Sequence, residues 1–139
     1  MPLPSLFRDR SDVEQIVGGT IVPILFGLVT GLALGWNEIA YYILVGPVGI
    51  AGGFYAGLEH RGPDEGLARG LVGGLVFGSF ILLGHEIANN EPEVTLPDPQ
   101  AGLVFVTTVA GGVLGALGGS YRARRERRFG GTGPASAAR

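Results

Sequence analysis

Glu38, His85 and Glu86 are residue types that together bind a divalent cation, one imidazole and two carboxylates, and they fall at one depth if the apolar runs beside them cross a bilayer. Adjacent helical positions diverge by about 100°, so only one of His85 and Glu86 shares a face with Glu38, and plain interfacial solvation is the expected role. Glu59 and His60 form a similar pair, with Arg61 beside them to oppose a cation. The hydroxyls of Thr20, Thr30, Ser79, Thr107 and Thr108 approach mid-depth, where hydroxyls and carbonyls suit a passive path for a small neutral solute. The central third of each apolar run carries no Asp, Glu, His, Lys or Arg, which argues against a proton relay or a route for charged substrates. No serine, histidine and acid are spaced for nucleophilic catalysis and no His-Glu-x-x-His motif occurs, so neither an enzyme nor a cofactor is expected. Cysteine is absent, which removes thiolate metal sites and disulfides.

The elements that would carry these residues are four apolar runs in a chain of 139 residues, at about 13–35, 39–58, 66–84 and 102–120. At 1.5 Å per residue each reaches about 30 Å, the thickness of a hydrocarbon core. Ser11-x-x-Glu14 predicts a capping box at the start of the first run. That run is too long for a signal-peptide core and has Asp9, Asp12 and Glu14 where a basic segment should be, so a retained span is expected. Trp36, Asn37 and Glu38 make a tight turn, and Trp36, Tyr41 and Tyr42 suit an aromatic belt. Pro63 with Asp64 and Glu65 opens the third span, and Arg69 is expected to snorkel back to the interface. The segment 85–100 is acidic and proline-rich and reads as an exposed loop, with Asp98 and Pro99 leading into the fourth span.

Each run carries glycines four residues apart: Gly27, Gly31 and Gly35; Gly49, Gly53 and Gly57; Gly66, Gly70, Gly74 and Gly78; Gly111, Gly115 and Gly119. Positions four apart share a helix face, so every span presents a groove without side chains. In water such glycines would weaken a helix by roughly 1 kcal/mol each. In lipid they let neighbouring backbones approach closely. The expected fold is therefore all-α: a polytopic membrane protein, a bundle of four transmembrane helices packed through glycine ladders. The second and third spans should set groove against groove, with the fourth joining at the same depth. A second copy docking on the ladder of the first span, or on Gly73-Gly74 and Gly111-Gly112, is the alternative use of the same device. A faint repeat relates the ladders of the second and fourth spans. Pro23 and Pro47, near the middle of the first two spans, should kink them.

All ten basic residues are arginines, and with four spans every one falls on the side of the two termini: Arg8, Arg10, Arg61, Arg69, Arg122, Arg124, Arg125, Arg127, Arg128 and Arg139. The positive-inside rule then puts both termini in the cytoplasm of a cell-membrane protein. Segment 1–11 is a cytoplasmic lead, 12–121 the membrane domain, and 122–139 a basic and then disordered tail. Arg122, Arg124, Arg125, Arg127 and Arg128 should meet anionic headgroups and anchor the topology. Too little basic surface and no interleaved aromatics accompany them for nucleic acid.

The run Gly49-Ile50-Ala51-Gly52-Gly53-Phe54-Tyr55-Ala56-Gly57-Leu58, a charged turn, and then Glu65-Gly66-Leu67-Ala68-Arg69-Gly70-Leu71-Val72-Gly73-Gly74-Leu75 resembles small uncharacterised four-span, glycine-rich membrane proteins of halophilic archaea. The resemblance covers about a quarter of the chain and implies a four-span fold without implying an activity. The reading is a structural or assembly component that packs against lipid, itself or another membrane protein. A passive pore or carrier for a small neutral solute is the alternative.

Overall fold

A computed structural model describes residues 3–89 and 91–129. The fold is all-helical, with four helices long and apolar enough to cross a membrane: α1 (Asp12–Leu34), α2 (Glu38–Leu58), α3 (Pro63–Ala88) and α4 (Ala101–Phe129). A short 3₁₀ turn, Phe7–Asp9, precedes them.

The helix ends follow local chemistry. Ser11 accepts from the Glu14 N–H while the Glu14 carboxylate accepts from the Ser11 N–H, a complete capping box. Asn37 caps α2 by accepting from the Ala40 N–H at 2.9 Å. Pro63 occupies the first turn of α3, where a missing N–H costs nothing, and Asp64 and Glu65 lie at the positive end of its dipole. α3 does not stop at Gly84: it runs to Ala88, where Asn89 adopts a left-handed conformation (φ 50°) and closes the last turn. His85 and Glu86 are consequently helical rather than part of the loop. α4 starts at Ala101, two residues later than a first helical position at Pro99 would allow, with Gly102 N–H donating to the Pro99 carbonyl. The same helix continues through the arginine-rich stretch, so 122–129 is helical. The disorder expected of 130–139 lies outside the described residues.

The two helices with an internal proline each contain a π-helical turn, Val17–Ile21 just before Pro23 and Leu44–Val48 around Pro47. A widened turn relieves the clash between the proline ring and the carbonyl four residues back. It also adds a residue to the turn and so changes the helical phase of the residues beyond it.

α3 is the central helix. It packs antiparallel on α4 along most of its length and carries α1 on the half farther from the termini, while α2 rests mainly on α4. α1 and α2 meet near their shared turn and have almost no contact elsewhere. At the far end Ala33, Leu34, Tyr41, Ile81 and Leu103 form a buried cluster, and the loop after α3 folds over it with Glu93 N–H donating to the Leu34 carbonyl at 2.9 Å. Tyr41 turns into this cluster instead of joining an aromatic belt, whereas Trp36 and Tyr42 are exposed.

Candidate functional site

The α3·α4 contact is a backbone-to-backbone seam. A methyl group on Gly66 would overlap the Gly115 carbonyl, one on Gly70 the Gly111 carbonyl, and one on Gly74 the Thr107 carbonyl. Gly78 meets Thr107 and Val104, and Gly119 meets the Gly62 carbonyl. Two four-residue ladders running in opposite directions stay in phase over these crossings, because each step along α3 matches one step back along α4. Gly57 of α2 reaches the same Gly115 carbonyl, making a three-helix junction, and a methyl group on Gly53 would lie 3.1 Å from the Leu114 side chain. Gly27 and Gly31 of α1 sit on Phe77, Phe80, Ile81 and Gly84 of α3, and Gly35 is buried at the end of α1.

The expected pairing of the second and third spans is therefore corrected: α3 faces α4, and α2 contributes only its last glycines. The physical reason is that α4 already fills the α3 ladder, with Gly70 and Gly74 against the Gly111 and Thr107 carbonyls, and Gly49 lies nearest its own Leu44 carbonyl. The α1 ladder is used on α3 and not on a second copy. Gly111 and Gly74 are likewise inside, Gly112 touches Leu67 and Leu71, and Gly73 lies beside the Arg69 guanidinium. Gly62, Gly84 and Gly118 also make close backbone approaches; they lie outside the ladders singled out from the spacing.

At the end that carries the termini, the segment before α1 is clasped across the bundle. Leu6 is buried, Phe7 N–H donates to the Glu59 carbonyl at 2.9 Å, and the Phe7 ring stacks on His60 at 5.6 Å. Arg8 pairs with Glu65 at 2.6 Å and Arg10 with the buried Glu59 at 2.8 Å. Arg122 completes the clasp. Its guanidinium donates to the Pro4 and Leu58 carbonyls, each at 2.8 Å, and to Glu126 at 2.7 Å. With 7% of its surface exposed, Arg122 is turned inward and not toward headgroups. The correction has a physical cause: the Leu58 carbonyl ends α2 and the Pro4 carbonyl precedes α1, so neither has a place in a helical ladder and both need a donor. Arg124, Arg127 and Arg128 remain exposed and Arg125 is half-buried.

Arg69 departs from expectation in the same way. Its Nη1 lies over Gly73, one turn farther into the bilayer, and its Nη2 donates to the Gly18 carbonyl at 3.0 Å. That carbonyl is short of a donor for a local reason. In the π turn Val22 N–H bonds to Val17, five residues back, and in that register Gly18 would need the N–H of residue 23, which is proline. Arg69 fills the gap. Its guanidinium also lies 5.7 Å from the Phe7 ring centroid, while its Nε is buried without a partner among the described residues.

Between the diverging α1 and α2, with α3 and α4 as its floor, lies a groove of about 260 Å³. Its walls are Val22, Pro23 and Phe26 of α1 and Val45, Ile50 and Ala56 of α2; Gly73, Phe77, Val106 and Ala110 line the floor, and Arg69 stands at the end nearer the termini. The groove is almost wholly apolar. Thr107 borders it, but its hydroxyl donates back to the Leu103 and Val104 carbonyls. Thr30 and Thr108 also bond within their own helices, and Thr20 and Ser79 are exposed on the outside. Toward the far end the bundle is closed by Thr30, Leu34 and Ile81, all fully buried, so the groove stops short of a path through the bundle.

Glu38 and Glu86 are exposed while His85 is buried against the α1 backbone at Gly31. The three do not converge, and among the described residues no group of three or more His, Asp or Glu is placed to hold a metal. Glu59 is engaged by Arg10, and His60 Nδ1 lies 3.0 Å from the Ala56 carbonyl. The Gly18–Pro23–Arg69 unit escaped the sequence reading, although a proline five residues after a glycine and a lone arginine inside an apolar run were both visible.

No protein-family model, curated protein or solved structure matches this chain.

Proposed function

We propose that this is a small membrane-embedded assembly component that associates with a second copy of itself through α2, with both termini in the cytoplasm. One observation carries the reading. Gly52 lies on an exposed helix face with Val48, Ala51 and Tyr55, and a methyl group there would meet nothing within 4 Å, whereas Gly27, Gly57, Gly66 and Gly70 all lie against protein. Positions 48, 51, 52 and 55 follow the i, i+3, i+4, i+7 pattern of a helix–helix contact, with two small residues at its centre. A bare glycine offers lipid little side-chain contact but lets a partner backbone approach closely. Of the four spans α2 is also the least buried within one chain.

Chemical crosslinking in native membranes followed by mass measurement should give a dimer. Ala51→Leu, at a position that does not line the groove, should abolish that dimer while leaving the monomer folded. Crosslinking that yields monomer alone, or a dimer unaffected by Ala51→Leu, rejects the proposal. The orientation rests on all ten arginines falling on one side. Because the chain lacks cysteine, single cysteines at Arg128 and Glu91 can be labelled from either side; labelling of Glu91→Cys from the cytoplasm would reverse the assignment.

A further inference from the structure

The groove between α1 and α2 opens where those two helices separate, so its mouth faces the bilayer and not the aqueous phase. Hydrocarbon is the only abundant solvent there, and an apolar cavity of about 150 Å³ already holds a benzene-sized guest. This groove is larger, and from Arg69 to Phe77 it extends eight residues along α3, about 12 Å at the helical rise. What separates it from an ordinary dent in a lipid-facing surface is the cation at one end. A guanidinium has five N–H donors and is expensive to hold in a membrane unless they find acceptors. Here one donor serves the Gly18 carbonyl, Nε is buried without an acceptor, and Arg69 is in no ion pair among the described residues. Glu59, whose charge reaches Arg69, is held by Arg10 at 2.8 Å. Gly73, lacking a side chain, leaves the space through which the guanidinium lies beside the groove floor.

A long apolar slot with an under-coordinated cation at its headgroup-side end matches one chemistry, an amphiphile with a hydrocarbon chain and an anionic head. We propose that the groove holds one hydrocarbon chain of an anionic membrane lipid, with the lipid phosphate against the Arg69 guanidinium. The phosphate would accept from the terminal guanidinium N–H groups rather than from the buried Nε, in the charge-assisted geometry that guanidinium favours. The hydrocarbon chain fills the gap between α1 and α2 that no side chain among the described residues fills. This site adjoins the self-association face: Gly52 borders the groove as well, whereas Val48, Ala51 and Tyr55 do not line it.

The test is native mass spectrometry of the delipidated full chain in detergent, titrated with phosphatidylglycerol, phosphatidylcholine or inorganic phosphate. One saturable phosphatidylglycerol per chain is expected, bound at least about tenfold tighter than phosphatidylcholine, which has the same phosphodiester but adds a choline cation that repels the Arg69 guanidinium. Inorganic phosphate should neither bind nor compete. Arg69→Met should erase the preference for phosphatidylglycerol, and Ala110→Phe, which keeps Arg69 and its Gly18 bond but fills the groove floor, should abolish retention of both lipids. Equal binding of the two lipids by the wild type, competition by inorganic phosphate, or unchanged phosphatidylglycerol binding in Ala110→Phe overturns the proposal. If Arg69→Met fails to fold, Ala110→Phe alone decides between these outcomes.

Discussion

Gly70→Ala adds one methyl group at the centre of the α3·α4 seam, where it would overlap the Gly111 carbonyl and lie 3.1 Å from the Gly112 Cα. Both obstacles are backbone, so no rotamer change relieves them. To restore an ordinary contact the helices must separate locally by about 1 Å, and a gap of that size forfeits roughly a quarter to a half of each affected dispersion contact. Overpacking of this kind costs about 1–3 kcal/mol. Working against it, alanine favours the helix by roughly 1 kcal/mol over glycine. In a detergent that holds the chain monomeric, Gly52→Ala isolates the packing term, because it makes the same helix gain in α2 and its methyl group meets nothing within 4 Å in one chain. Thermal unfolding in one detergent, followed by circular dichroism, should therefore place Gly52→Ala at or above the wild type and Gly70→Ala below it, the two separated by about 1–3 kcal/mol. Equal or greater stability of Gly70→Ala relative to Gly52→Ala would refute the close-approach reasoning for the whole ladder.

Arg69 and Pro23 should be energetically coupled. Arg69→Met strands the Gly18 carbonyl, a loss of about 1–3 kcal/mol, but in a Pro23→Ala background residue 23 regains an N–H and the same change should cost about 1 kcal/mol less; strict additivity in a double-mutant cycle would disprove the link. Arg122→Ala removes the donor shared by the Pro4 and Leu58 carbonyls and should destabilise by about 2–3 kcal/mol, with faster amide exchange through residues 6–10, whereas exposed Arg124→Ala should stay within about 0.5 kcal/mol. Similar exchange in the two variants would mean that Arg122 does not hold the clasp. Arg10→Ala, which unpairs the buried Glu59, should open the same segment to limited proteolysis, and unchanged cleavage would show that the segment is held by other contacts.

The four apolar runs were legible because hydropathy and length act locally: a run of apolar residues long enough to cross the hydrocarbon needs no partner to declare itself. The Ser11–Glu14 box, Asn37 beside its turn and Pro63 with two acids belong to the same class, since each cap joins groups only a few residues apart. The ladder in each span could also be read, but not its mate. Gly49, Gly66 and Gly111 carry the same four-residue spacing, and lipid provides no hydrophobic drive to choose among equivalent grooves. Helix phase and direction made that choice. The antiparallel α3 and α4 keep Gly66, Gly70 and Gly74 in step with Gly115, Gly111 and Thr107, while α2 rests mainly on α4. Spacing likewise marked Arg69 and Arg122 only as cations near an interface. Their inward turn depends on the Gly18, Pro4 and Leu58 carbonyls, which lie 51, 118 and 64 residues away along the chain and become neighbours only when the bundle closes.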